Sequence, residues 1–117
     1  VPALALDVAV VSVTEMVNAY SALANQGRSI KPVYVTAIAD RHGRILEQFR
    51  KPEMKQVISK ETAQIMIHLL KGVVNSGTAS ALRSRYGLNN DIAGKTGTTQ
   101  DNTDGWFVAA MPTLVVG

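Results

Sequence analysis

A segment of helical periodicity between Ser59 and Gly77 constrains the fold more than any other part of this sequence. Its apolar residues recur at spacings of three and four and so predict one apolar face of an α-helix; they are Ala63, Met66, Leu69, Leu70, Val73 and Val74. Ser59 is placed to cap the N-terminus, and Glu61 suits the positive end of the helix dipole. We therefore predict a helix that begins after Ser59 and ends at Asn75-Ser76-Gly77.

An earlier helix is predicted by a capping signal. Ser12 and Glu15 have the S-x-x-E spacing of a capping box. The residues behind it form a second apolar face at helical spacing, made of Met16, Val17, Tyr20, Leu23 and Ala24. Gly27 suits a left-handed C-terminal cap, so the helix is expected to stop within residues 25–27.

The residues between the two helices favour a β-hairpin. Val33–Ala39 is rich in β-branched residues, Asp40–Gly43 has the composition of a turn, and Ile45–Phe49 resumes with alternating character. The stretch Arg50–Lys55 is predicted to be a connector.

The part of the chain after the second helix changes to strand-like character. A short helix is predicted over Ala79–Arg85, and Ile92-Ala93 leads into a polar segment over Gly94–Thr99. A turn-rich stretch follows over Gln100–Gly105. Strands are then predicted over Trp106–Ala110 and Thr113–Val116, with a turn between them at Met111-Pro112. These elements place the chain in the α+β class. Because the chain stops within a strand at Gly117, we expect a fragment whose open sheet edge pairs with a second copy.

Composition excludes several classes of protein. With 46% hydrophobic and 18% charged residues, the chain can bury the core of one domain. The net charge of +3 comes from scattered residues without interleaved aromatics, which argues against a nucleic-acid partner. No apolar run reaches the roughly 20 residues of a membrane span, and Val1–Val11 lacks the basic leader of a signal peptide. Without cysteine, and with His42 and His68 far apart, no metal site is predicted.

The six residues Gly94–Thr99 call for a chemical explanation. They combine one cation, three hydroxyls and two glycines. A cation and hydroxyls on one edge strand can hold a carboxylate, and Gly97 would let a ligand approach the backbone closely. An exposed backbone N–H beside it could stabilise an oxyanion. On these residues alone, a polar turn between strands explains the composition equally well.

A phosphate-binding loop is the first rival explanation, because Gly94-Lys95-Thr96 copies the end of a G-x-x-x-x-G-K-[ST] motif. The first glycine of that motif would fall at position 89, which is Asn89, and Gly87 lies two places too early. A helix should follow the lysine, whereas turn-forming residues follow here. A nucleotide-binding protein therefore stays only as an alternative, which titration with ATP and Mg²⁺ would test.

Lys95-Thr96-Gly97 is instead the third element of the S-x-x-K, S-x-N, K-T-G set of serine acyl-transferases. In its context, the chain resembles the class A (bifunctional) penicillin-binding proteins over nearly its whole length. The segments that carry the resemblance are Glu15–Tyr20, Ala24–Gly27, Gly72–Val74, Gly77-Thr78 and Lys95–Phe107. The resemblance implies a serine β-lactamase/transpeptidase-like fold, with an antiparallel sheet, helices packed on both faces and a small hairpin.

The resemblance also implies roles for individual residues. Lys95 would supply positive charge and orient a serine hydroxyl, and the hydroxyls of Thr96 and Thr98 would bind the carboxylate of a substrate or β-lactam. Gly97 would leave room for the ligand, and the Thr98 backbone N–H would be one oxyanion donor. Gly77-Thr78 is expected only to shape a turn, without a catalytic role.

The nucleophile is absent from this sequence. None of the seven serines is followed by lysine three places later or by asparagine two places later. Covalent catalysis needs a nucleophile beside its base. We therefore expect 1–117 to be the C-terminal part of a transpeptidase domain that is inactive without the remainder of that domain.

The implied parent protein cross-links peptidoglycan in cell-wall synthesis. A serine attacks the D-Ala-D-Ala stem peptide, D-alanine leaves, and an amine of a neighbouring stem takes the acyl group; β-lactam antibiotics trap the same serine. The resemblance implies no cofactor, and it implies a membrane anchor, a periplasmic or extracellular location and a glycosyltransferase domain. The alternative from another class is a non-catalytic peptidoglycan-binding or interaction module.

Overall fold

The computed structural model describes residues 11–99 and 105–117 and confirms an α+β architecture. The described elements are α1 (Val13–Ala24), β1 (Arg28–Ser29), β2 (Ala37–Ala39), β3 (Ile45–Gln48), β4 (Lys55–Gln56), α2 (Lys60–Ser76), α3 (Ala81–Ser84), β5 (Ala93–Thr98), β6 (Gly105–Met111) and β7 (Leu114–Val116). All strand pairs among them are antiparallel, in sheets β1-β4, β2-β3 and β5-β6-β7. The predictions for Val1–Val11, except its last residue, and for residues 100–104 lie outside the described residues.

Capping determines where α1 begins and ends. The Ser12 hydroxyl accepts a bond from the Glu15 N–H, and the Glu15 carboxylate accepts bonds from the Ser12 N–H and hydroxyl, as the predicted capping box requires. These donors lower the pKa of the Glu15 carboxyl. At the other end, Gly27 has a φ of +81°, but the left-handed turn begins one residue earlier, at Gln26 with a φ of 57°. The Gly27 N–H bonds to the Ala22 carbonyl, which is the 6→1 bond of a Schellman motif.

α2 begins and ends as predicted, but its buried face is rotated from the predicted stripe. Ser59 accepts a bond from the Thr62 N–H, and the helix ends at Ser76. The buried residues are Ala63, Leu70 and Val74, with Ile67 half-buried between them. Met66 and Leu69 were predicted on this stripe and are exposed, Leu69 by 58%. The prediction was wrong there because α2 packs against its neighbours along one narrow line at spacings of four, three and four.

The predicted hairpin forms but is shorter than its composition suggests. The Asp40 carboxylate accepts bonds from the His42 and Arg44 N–H groups and so holds the turn. β2 spans only Ala37–Ala39, whereas the prediction began its strand at Val33. Residues 33–35 are exposed and have no strand partner, so their β-branched character alone does not make a strand.

A second small sheet was missed by the sequence analysis. Arg28–Ser29 pairs with Lys55–Gln56, at the end of the segment predicted as a connector. The Val57 and Ile58 N–H groups also bond to the Gly27 carbonyl, at 2.9 and 3.3 Å. This junction ties the end of α1 to the residues that lead into the Ser59 cap of α2.

The three-stranded sheet β5-β6-β7, called the main sheet below, carries the core of the described chain. α2 packs against β5, while α1 packs against β6, β7 and α2. The core cluster contains Val74, Ala79, Ile92 and Ala109, with Val73, Leu82, Phe107 and Met111 packed against it. The end of α2 and the turn that follows it are therefore held directly on the sheet.

Candidate functional site

The polar segment predicted to carry chemistry forms strand β5 at one edge of the main sheet. It pairs with β6 from Ala93 opposite Ala110 to Thr98 opposite Gly105. No described strand pairs with its other edge. Edge strands offer unpaired backbone groups to a ligand or another chain, so β5 has the position that a substrate-binding strand requires.

Alternation along β5 separates its functional groups onto two faces. Thr96 and Thr98 point to one face, and Lys95 and Gly97 to the other, because side chains alternate along a strand. Thr96 stands opposite Phe107, which packs against the core cluster, so the threonine face is the one that covers the core. Packing of β5 and β6 against the core therefore holds the strand that carries the two hydroxyls in place.

The ammonium of Lys95 is solvent-exposed and lies close to the strand. Its Nζ donates to the Thr96 carbonyl oxygen at 2.7 Å. Among the described residues, the ion pairs join Arg44 to Asp40 and Lys71 to Asp91, and Lys95 takes part in neither. The described part of the chain thus leaves its positive charge uncompensated beside the strand, where it can attract an anionic group.

Thr96 has a partner that the sequence analysis did not anticipate. Its Oγ1 lies 2.7 Å from Oγ1 of Thr78, in the turn that follows α2, and either hydroxyl can be the donor. The prediction gave Gly77-Thr78 a turn-shaping role only. The signal that could have pointed further was the presence of Thr78 in a segment resembling the same family as Lys95–Phe107.

The two glycines of β5 differ in what surrounds them. A Cβ on Gly94 would lie 2.9 Å from Cζ of Phe107 and 3.0 Å from the Val108 carbonyl oxygen, so packing requires a glycine there. A Cβ on Gly97 would meet only Cβ of Trp106, at 3.4 Å. The packing of the described residues therefore does not explain the glycine at 97, whereas a ligand that approaches the strand would.

Other candidate groups do not join this site. His42 lies in the hairpin turn and His68 is exposed on α2. Residues 11–99 and 105–117 contain no group of three or more potential metal ligands, and none of their helices is long and apolar enough to cross a bilayer. β5 continues as a strand past Lys95 and Thr96, so no helix N-terminus follows them as a phosphate-binding loop requires.

Comparison with known sequences places the chain in one family. The penicillin binding protein transpeptidase domain family matches residues 9–114. The chain is 38% identical over 114 residues to Penicillin-binding protein 1A of Aquifex aeolicus, covering 97% of this chain and 15% of that protein. It is 39% identical over 108 residues to Penicillin-binding protein 1B of Haemophilus influenzae, covering 92% of this chain and 14% of that protein. The chain thus spans about a seventh of the length of these relatives.

Comparison with solved structures agrees with the sequence comparison. The D,D-transpeptidase domain of a peptidoglycan glycosyltransferase from Eggerthella lenta superposes with a TM-score of 0.72 at 32% identity, covering 86% of this chain and 24% of that one. Penicillin-binding protein 1A from Haemophilus influenzae superposes with a TM-score of 0.82 at 23% identity. The superposition covers 93% of this chain and 22% of that one, and it supports the fold. The chain therefore belongs to the penicillin-binding protein transpeptidase domain family and, within it, to the class A proteins.

Proposed function

We propose that this chain supplies the substrate-binding edge strand of a DD-transpeptidase that cross-links peptidoglycan by serine acyl transfer. The observation that carries the proposal is β5 itself. The strand edge that no described strand pairs with presents two hydroxyls, a glycine that packing does not explain and a cation without an ion-pair partner among the described residues. These groups match what a carboxylate-bearing acyl donor needs.

The substrate carboxylate is the natural partner of the polar groups on β5. In the proposed complex, the hydroxyls of Thr96 and Thr98 donate to the carboxylate of the terminal D-alanine, and Lys95 adds positive charge nearby. Charge-assisted hydrogen bonds of this kind are roughly twice as strong as neutral ones. They hold the scissile carbonyl against the strand, where Gly97 leaves room for it.

Backbone geometry supports an oxyanion role for the Thr98 N–H. In an antiparallel pair, a residue directs its N–H and C=O groups to one edge, and the residue two places on does the same. The Thr96 carbonyl is within reach of the Lys95 ammonium, so polar groups outside the sheet have access to it. The Thr98 N–H would then point to that same edge and donate to the oxygen of the tetrahedral intermediate.

The serine nucleophile and its lysine base would come from the rest of the domain. Serine Oγ attacks the carbonyl of the penultimate D-alanine, the amide bond breaks, and D-alanine leaves with a proton. An amine of a second stem peptide then attacks the ester, and serine regains its proton. A β-lactam takes the place of the D-Ala-D-Ala unit and leaves serine acylated.

Exposed apolar side chains support the proposal that the chain is one part of a larger domain. On α2, Ile65 and Leu69 are about three-fifths exposed, at 61% and 58%, and Met66 is at 38%. Apolar groups that share one helix surface usually mark a buried interface.

The proposed parent is also membrane-anchored outside the cytoplasm and carries a glycosyltransferase domain. Association of two copies through an open sheet edge stays a prediction.

Labelling with a fluorescent penicillin tests the proposed function. We expect the complete protein to be labelled covalently and the 117-residue chain to remain unlabelled, because the chain contains neither the S-x-x-K nor the S-x-N element. Excess unlabelled penicillin should abolish the signal. A folded complete protein that does not label would overturn the enzyme proposal and favour the non-catalytic peptidoglycan-binding module.

The two glycines of β5 provide a matched pair of variants in the complete protein. Gly97→Ala should fold normally yet lower the acylation rate by about 10-fold or more, because the new methyl group occupies the space assigned to the ligand. Gly94→Ala should instead lower the free energy of unfolding by about 1–3 kcal/mol, since its methyl group meets Phe107 and the Val108 carbonyl. Stopped-flow acylation and thermal denaturation measure the two effects. Unchanged acylation in Gly97→Ala would contradict the assigned role of Gly97.

A further inference from the structure

The turn after α2 reaches the proposed substrate strand through one hydroxyl pair. Oγ1 of Thr78 lies 2.7 Å from Oγ1 of Thr96, across 18 residues of sequence. Both oxygens are accessible, and none of the described polar side chains is buried, so no desolvated group requires this bond. Each hydroxyl could bond to water instead. The contact therefore calls for an explanation other than the satisfaction of a buried polar atom.

Thr78 is held in place by its neighbours in the chain. The N–H groups of Gly77 and Ala79 both donate to the Val73 carbonyl, each at 3.1 Å, so the residues before and after Thr78 are bonded to the last turn of α2. A Cβ on Gly77 would lie 2.8 Å from the Val73 Cα, which shows how closely this turn approaches the helix. Ala79 is buried in the core cluster beside Ile92. Thr78 thus stands on a rigid support.

The hydroxyl of Thr96 has a single proton to donate. If Thr96 donates it to Thr78, none is left for a ligand carboxylate; if Thr78 donates to Thr96, the Thr96 proton is free. An incoming anion selects the second arrangement, because a carboxylate only accepts. The result is a chain in which Thr78 donates to Thr96 and Thr96 donates to the ligand, and each bond polarises the next.

We infer that Thr78 is a positioning residue that directs the Thr96 hydroxyl toward the carboxylate of the bound substrate or β-lactam. It acts through Thr96 and has no contact of its own with the reacting atoms. This inference rests on the proposed function. It adds the Thr78 hydroxyl, from the turn that follows α2, to the Thr96 and Thr98 hydroxyls of the proposed site.

Four forms of the complete protein test this role in a double-mutant cycle: wild type, Thr78→Val, Thr96→Val and the double variant. Valine keeps the shape of threonine and removes the hydroxyl. We expect Thr78→Val to lower the second-order rate constant of penicillin acylation by roughly 3- to 10-fold, the effect of one neutral hydrogen bond. In the Thr96→Val background, the same change should have almost no further effect, because its partner is already absent.

Three controls distinguish positioning from a general structural effect. Thr78→Ser retains the hydroxyl and should restore acylation to within about 2-fold of wild type. A penicillin methyl ester, which has no free carboxylate, should acylate wild type and Thr78→Val equally. Thr113→Val makes the same chemical change in the β6–β7 turn, at the other end of β6 from Lys95–Thr98, and should leave acylation unchanged.

The outcomes separate this inference from the proposed function. Wild-type protein that is acylated, with Thr78→Val equally active, would overturn the positioning role alone. So would equal effects of Thr78→Val in the wild-type and Thr96→Val backgrounds, because Thr78 would then act elsewhere. Folded wild-type protein that resists acylation would overturn the proposed function and this inference with it.

Discussion

Replacing Lys95 by alanine in the complete protein is expected to slow penicillin acylation by about 100-fold. The structure leaves its ammonium exposed beside β5, with the Thr96 carbonyl as its hydrogen-bond acceptor and no carboxylate paired with it among residues 11–99 and 105–117. In the proposed complex this charge lies on the other face of β5 from the threonine hydroxyls, where it adds positive potential near the substrate carboxylate and orients the serine hydroxyl. Removal of one oxyanion-hole donor costs a factor of about 10² to 10³ in other enzymes, and we expect the loss of this charge to match the lower of these values.

The measurement for Lys95 is the dependence of the acylation rate on penicillin concentration. It separates binding from the covalent step. Lys51→Ala is the matched control, because Lys51 is an exposed lysine in the connector before β4. Lys95→Ala should also leave the thermal midpoint unchanged, since the side chain is solvent-exposed. Acylation within 3-fold of wild type would show that Lys95 takes no part in the reaction.

Among the variants proposed here, Gly27→Ala is expected to lower the free energy of unfolding the most. A Cβ at this position would overlap the Ile58 carbonyl oxygen, and the residue has a φ of +81°. A left-handed conformation costs an L-residue about 1–2 kcal/mol, and forced overpacking adds about 1–3 kcal/mol. Because this junction joins α1 to the start of α2, its loss should also weaken the support beneath β5.

Gly43→Ala is the matched control for Gly27→Ala. Gly43 has nearly the same φ, +82°, but nothing lies within 4 Å of the position of its Cβ. Both variants therefore incur the conformational cost, and only Gly27→Ala incurs the clash. Proteolysis of the complete protein in increasing urea measures the two free energies of unfolding. Equal losses would mean that the residues around Ile58 move aside without cost.

Local signals account for the parts of the fold that the sequence predicted well. The bonds that begin α1 and α2 join residues three apart, Ser12 with Glu15 and Ser59 with Thr62. The Asp40 side chain makes the hairpin turn with residues two and four places away. Such contacts need no tertiary partner, so their residues can be recognised from spacing alone.

The candidate site likewise has one part that the sequence predicted and one part that only the structure revealed. Lys95–Thr98 is one continuous segment, and its resemblance to the Lys-Thr-Gly element of the family predicted carboxylate binding, whereas its residue types alone fitted a polar turn equally well. Thr78 could not be found like this, because its contact with Thr96 spans 18 residues and depends on how the end of α2 packs against the sheet. Spacing in the sequence carries no information about such a distance.

By itself, the sequence determined the boundaries of α1 and α2 and the hairpin turn, since each depends on residues close together in the chain. It also determined the family, through matching segments spread from Glu15 to Phe107. The tertiary structure alone decided that residues 33–35 are not part of a strand, that Met66 and Leu69 are exposed, and that Arg28–Ser29 pairs with Lys55–Gln56. It also placed Thr78 beside Thr96. Strand pairing and helix orientation follow from contacts between distant segments, whose energies exceed local propensities.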